Sequence, residues 1–208
     1  MTNFPIGFKE LVGEDARSKY FSKNPLKRVL VRRFFEKIHR LVEEMGAGVV
    51  LEVGCGEGLA GYLILKGFPG LEYVGADISR EGVKVASRVL ERDLVVLDGL
   101  RLPFRDKSFD LVFFLEVFEH IRDWEKVLLE GVRVGKKGVI FSVPIFPWYQ
   151  VSNLVFLKNV RRLGEHPGHI NQFTLSGIRE RVKMIIDGMN YEEKQYVRFP
   201  WLIYLVKF

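Results

Sequence analysis

The stretch Val49-Val50-Leu51-Glu52-Val53-Gly54-Cys55-Gly56-Glu57-Gly58 constrains this chain more than any other. An apolar, β-prone run broken by one acid leads into three alternating glycines, and helix-forming sequence follows. The pattern predicts a buried strand that ends in a tight turn and opens a helix. Glycine is needed where a turn demands unusual φ/ψ or where a ligand touches bare backbone, and a helix starting there presents unpaired N–H groups. The turn is therefore read as a ligand cradle.

At 208 residues the chain suits one well-buried domain. With 48% hydrophobic and 28% charged residues it is globular and not disordered. The first residues lack the pattern of a secretory leader, and no apolar run approaches the roughly 20 residues that span a bilayer. A cytoplasmic protein without a membrane span is expected. The single cysteine, Cys55, fits a reducing compartment and reads as a small packing residue within the turn. The net charge of +6 favours anionic partners without choosing among them, and the oligomeric state is not legible.

Along the chain, residues 1–46 read as a helical cap, 47–144 as a core, 145–172 as an insertion and 173–208 as a terminal helix and hairpin. Asn24-Pro25 is an N-cap followed by proline at the first helical position of a helix running to about Met45. Its face carrying Lys27, Arg28, Arg32, Arg33, Lys37 and Arg40 reads as solvated, with a phosphate-binding strip as the alternative, and His39 as surface. Strands are expected at 71–78, 94–97, 110–115 and 138–143, alternating with helices at 59–67, 80–91 and 123–134. A helix at 174–187 and a hairpin of 191–199 and 201–208 close the chain. This alternation predicts an α/β Rossmann-like three-layer sandwich, with a mostly parallel seven-stranded sheet and an antiparallel C-terminal hairpin. Ligands gather at the carboxyl ends of such strands, where Gly54, Asp77, Asp98 and Glu116 fall.

A nicotinamide-type fold wants G-x-G-x-x-G, whereas this chain has Glu52-x-Gly54-x-Gly56-x-Gly58. Together with Ala76-Asp77, Asp98, Leu102-Pro103-Phe104, Ser108-Phe109-Asp110, Glu119-His120 and the run 138–144, it resembles class I S-adenosylmethionine-dependent methyltransferases, in their ubiquinone/menaquinone-type small-molecule branch. The resemblance implies S-adenosyl-L-methionine as cofactor, held by Tyr20, Glu52, Gly54, Cys55, Gly56, Gly58, Asp77, Ile78, Asp98, Gly99, Leu115 and Glu116. It would place Glu52 at the amino group, Asp77 at the ribose hydroxyls, and Ile78, Asp98 and Gly99 around the adenine. It also gives the segment of Lys19-Tyr20-Phe21 the role of a lead-in helix closing over the cofactor. No Asn-Pro-Pro-Tyr follows the fourth strand, which disfavours transfer to a base amino group.

Methyl transfer by in-line displacement needs mainly alignment and shielding, so no metal is expected. For a hydroxyl or carbon acid a general base is needed, and His120 and His169 are the catalytic candidates, with His166 behind them. Tyr20 and Tyr149 are read as orienting groups, and the aromatic insertion at 145–172 as a lid or acceptor pocket. The expected acceptor is a small, partly apolar molecule. An RNA acceptor, suggested by the basic helix and Arg161-Arg162, is the less favoured alternative, and a catalytically silent cofactor-binding subunit is another.

Overall fold

The run Val49–Val53 forms strand β1, buried from Val50 onward. In this computed structural model, residues 4–5, 7–156, 163–164 and 166–208 are described. Arg161-Arg162, the pair behind the RNA alternative, lies outside the described residues. The remaining strands are β2 (Glu72–Asp77), β3 (Val95–Val96), β4 (Phe109–Leu115), β5 (Gly135–Pro144), β6 (Glu192–Arg198) and β7 (Trp201–Lys207). They form a seven-stranded sheet in the order β3-β2-β1-β4-β5-β7-β6. All pairings up to β4–β5 are parallel, while β7 runs antiparallel to both β5 and β6. Strand order reverses between β1 and β4, the position where a sheet of this kind opens a crevice at its carboxyl edge.

Alternation along each strand divides the core into two layers. Val50, Leu111, Phe113, Ile140, Ile203 and Leu205 pack on one face, against α3 (Pro25–Glu44), α4 (Leu59–Gly67) and the buried side of α5 (Arg80–Leu90). Leu51, Val112, Phe114, Phe141, Leu202 and Tyr204 pack on the other, against α6 (Trp124–Val134) and α8 (Leu175–Ile185). The Asn24 side chain accepts from the Leu26 and Lys27 N–H groups at the start of α3, the expected cap.

Over the sheet's carboxyl edge lie α2 (Glu14–Tyr20) and α7 (Trp148–Val155), and the short α1 (Phe8–Leu11) precedes α2. An aromatic cluster of Phe4, Phe8, Tyr20, Phe21 and Tyr62 docks the amino-terminal segment, and Gly13 N–H donates to Glu57 at 2.7 Å. Because Glu57 belongs to the glycine turn, this bond joins the cap to the cradle.

Three expectations need correction. His39 is not simply surface: it bonds the Leu63 carbonyl at 2.9 Å and meets Phe68 edge-on, pinning α3 to α4. Lys37 leaves the solvated strip, being only 9% exposed with its ammonium 3.6 Å from the Tyr196 ring centroid. Strand β5 begins at Gly135 rather than Gly138, its first residues carrying the charged Lys136 and Lys137 outside the apolar run that marks the rest of the strand.

Candidate active site

The glycines of the turn have different jobs. Gly54 has φ +78°, and a Cβ there would stand 2.4 Å from a Val117 methyl, so it is bare because the chain beneath it is close. Gly56 has φ +52°, and a Cβ there would meet nothing within 4 Å while projecting from the wall of a cavity of about 560 Å³. The Gly56 N–H donates to Asp77 Oδ2 at 2.8 Å, and Asp77 Oδ1 accepts from Ser79 N–H at 2.8 Å. Asp77 thus braces the turn against β2. Ser79, whose side chain accepts from Gly82 N–H, is the cap of α5.

The cavity collects most of the residues singled out from the sequence. Tyr20, Glu52, Gly54, Cys55, Gly56, Leu115 and Glu116 line it, as do His120, His166, His169 and Tyr149. Asp77, Ile78, Asp98 and Gly99 do not line it; they follow along the carboxyl ends of β2 and β3, and Ile78 is 72% exposed. Gly58 sits behind the turn, facing Ala86 of α5.

Burial sets the chemistry of the wall. Glu52 is 1% exposed and accepts from Tyr73 Oη–H at 2.5 Å; desolvation pushes its pKa up to about 7 against the opposing effect of that bond. Burial also raises the Cys55 thiol well above its usual range, so it is no nucleophile at neutral pH. Desolvation, then Glu116, raises the Tyr149 hydroxyl to about 12. At the end of β4, Glu116 has φ +59°, held there by its N–H bonding Ser142, and its Oε2 accepts from Lys19 of α2 at 2.6 Å. Burial lowers the Lys19 pKa, but Glu116 overrides it and keeps the ammonium charged.

Three histidines that line the same cavity form a cluster. Ring centroids of His169 lie 5.0 Å from His120 and 4.8 Å from His166, and Tyr149 packs 5.2 Å from His169. His120 is joined to this loop through a 2.9 Å bond from Nδ1 to the Gly168 carbonyl; it does not cap α6, whose N-cap is Asp123. Desolvation, reinforced by His120 and His166, lowers the His169 pKa to about 3, so the ring is neutral across the physiological range.

Four contributors have no individual role assigned to them from the sequence. Glu119, 1% exposed, faces the cavity and was read only as part of a motif. Lys19 was noted only within its segment, and Glu57 only as part of the glycine turn. Asn171 donates to the Phe118 and Ile121 carbonyls at 2.8 and 2.7 Å, stitching the turn after β4 to the histidine loop. Only Glu119 carried a readable signal, an acid three positions after Glu116 and next to a histidine.

Residues 51–143, the span holding the glycine turn and strands β1 to β5 up to Val143, match the family described as "Methyltransferase domain". Over that span the chain is similar in sequence to a methyltransferase domain. It is 36% identical over 96 residues to norajmaline N-methyltransferase of Rauvolfia serpentina, covering 43% of this chain and 32% of the relative. It is 31% identical over 114 residues to demethylmenaquinone methyltransferase of Thermotoga maritima, covering 54% and 50% respectively. The chain therefore spans about a third to a half of these curated relatives' lengths. Among solved structures, magnesium protoporphyrin IX methyltransferase from Synechocystis, with bound SAH, shares the fold at a TM-score of 0.63 and 19% identity, covering 96% of this chain and 92% of that one. The fold expected from the sequence is the fold found, and no helix among the described residues is long and apolar enough to cross a membrane.

Proposed function

We propose that this protein transfers the methyl group of S-adenosylmethionine to a small, partly apolar acceptor. The observation that carries this reading is one cavity lined both by the bare glycine turn with its buried carboxylate and by Tyr149 and the histidines. The space that a Cβ at Gly56 would fill, with Glu52 beside it, fits a ligand that offers an ammonium group and a backbone-hugging chain. When bound, the cofactor supplies a methyl group activated by a sulfonium. Glu52 holds the amino group, and the Gly54–Gly56 backbone follows the chain. Asp77 accepts from the ribose hydroxyls with the lone pairs left over from Gly56 and Ser79, since an ionised carboxylate offers about four. Ile78, Asp98 and Gly99 receive the adenine along the open rim. Lys19 and Tyr20 close the site from α2, and α7 with the histidine loop encloses the acceptor. Such alignment alone can supply roughly 7–11 kcal/mol of the barrier.

The direct test is calorimetric titration with S-adenosylhomocysteine and, separately, NADH. Binding of the first and not the second is expected; the reverse overturns the reading. Incubating cell extract with labelled donor and sorting it into small-molecule, lipid, RNA and protein fractions then identifies the acceptor class. Label confined to RNA overturns the small-molecule part, and label in no fraction favours a silent binding subunit.

A further inference from the structure

Glu119, His120 and His169 each offer one donor atom, and the three atoms lie within 4.8 Å of one another at the cavity wall. We propose that these three side chains hold a divalent first-row transition-metal ion, whose open coordination positions bind an oxygen of the acceptor. This deepens the methyltransferase reading and rests on it, and it replaces the expectation that no metal takes part.

Several independent observations point to a cation. Glu119 is 1% exposed, and its Oε2 has no hydrogen-bond partner; Glu116 Oε1, three residues earlier, is likewise buried and unpartnered. Leaving a carboxylate oxygen buried and unsatisfied is costly, and a bound ion removes that cost. The bond from His120 Nδ1 ends on the Gly168 carbonyl, which can only accept, so Nδ1 carries the proton and Nε2 keeps its lone pair. A ring N–H donated to a backbone carbonyl is how metal-binding histidines are usually oriented. His166 stands apart, because its Nδ1 already accepts from Gly168 N–H at 3.1 Å.

The two ligand-bearing segments are built as one unit. Ile170 and Asn171 N–H both donate to the Glu119 carbonyl, at 2.9 and 3.2 Å, while the Asn171 side chain holds Phe118 and Ile121. Ligand atoms around one ion at about 2.1 Å stand roughly 3–3.5 Å apart, so closing the set takes only a modest side-chain adjustment. Two imidazoles and a carboxylate select borderline ions such as Mn²⁺, Fe²⁺ or Zn²⁺ over Mg²⁺ and Ca²⁺, which prefer all-oxygen sites. Lys19 neutralises Glu116, so the ion is set against the single charge of Glu119.

An acceptor hydroxyl bound to the ion loses its proton to solvent more readily. Its oxygen then forms the O–C bond to the methyl group as the C–S bond breaks, and that electron pair stays on sulfur. The acceptor class is accordingly an oxygen nucleophile.

The test uses metal-stripped full-length protein titrated with Mn²⁺, Zn²⁺ and Mg²⁺, with S-adenosylhomocysteine binding followed separately. One equivalent of Mn²⁺ or Zn²⁺ should bind, with nitrogen couplings from imidazole in the pulsed EPR spectrum of the wild-type Mn²⁺ form. Glu119→Gln and His169→Ala should each weaken that binding at least tenfold while S-adenosylhomocysteine still binds. Absence of a stoichiometric site, Mg²⁺ binding as tightly as Mn²⁺, or a wild-type spectrum without nitrogen couplings would each overturn the proposal, and the wild-type measurements decide even if a variant misfolds. A wild-type protein that binds the donor but no metal strikes only this inference, whereas failure of the wild-type protein to bind S-adenosylhomocysteine strikes the methyltransferase reading itself.

Discussion

At the scale of single residues, Gly56 separates ligand binding from folding better than any acid in the site. Gly56→Ala puts a methyl into open cavity at positive φ, so it should cost about 1–2 kcal/mol of stability yet weaken S-adenosylhomocysteine binding at least tenfold by calorimetry. Gly54→Ala adds a clash with Val117 to the same backbone cost and should lower the melting temperature further than Gly56→Ala does. Asp77→Ala is a poorer probe than the sequence suggests, since it also releases Gly56 and Ser79. Glu52 gives a pH signature. Its folded pKa of about 7 lies above its ordinary 4.5, so the native state keeps a proton that the unfolded chain gives up. Stability should therefore fall by roughly 3 kcal/mol as pH rises from 4.5 to 7 and level off above that, a slope that Glu52→Gln removes in denaturant titrations. Donor affinity should run the other way, rising between pH 6 and 7.5 as the carboxylate becomes available to an ammonium.

Among elements, the loop between β3 and β4 hangs on one side chain of α6. Arg133 donates to the Leu102 and Phe104 carbonyls and to Glu130 and Asp106, all at 2.7–2.9 Å. Lysine cannot reproduce that planar fork, so Arg133→Lys should cost about 1–2 kcal/mol and speed amide exchange at Leu102, whose N–H donates to Glu130. The alternating strands and helices were legible because apolar periodicity is a local property. What the elements do to one another was less so. The Ser108-Phe109-Asp110 motif ends in a carboxylate that accepts from the Gly48 and Val49 N–H groups, a brace at the start of β1 far along the chain. The same holds for His39 and Lys37, whose partners Leu63, Phe68 and Tyr196 come from other elements.

For the molecule as a whole, β7 makes the carboxyl-terminal hairpin part of the core. Residues Trp201 to Val206 are buried without interruption, and β7 pairs along its length with both β5 and β6. Ile203→Ala should destabilise the protein by about 2–4 kcal/mol and still unfold it in one transition, with far- and near-ultraviolet dichroism melting together. Separate transitions would show that the hairpin folds apart from the parallel strands.

Strand, turn and helix propensities determined the α/β class, the position of the glycine cradle and the row of acids at strand ends, since each depends on residues near one another in the chain. Tertiary structure decided which of those residues share a cavity. Tyr20, Glu52, Glu116 and His169 meet only when α2 and the histidine loop fold over the crossover between β1 and β4. It also decided their charge states, because the Glu52 and His169 shifts arise from desolvation by residues distant in sequence. Burial and distance are properties of the packed molecule, and no local pattern of residues encodes them.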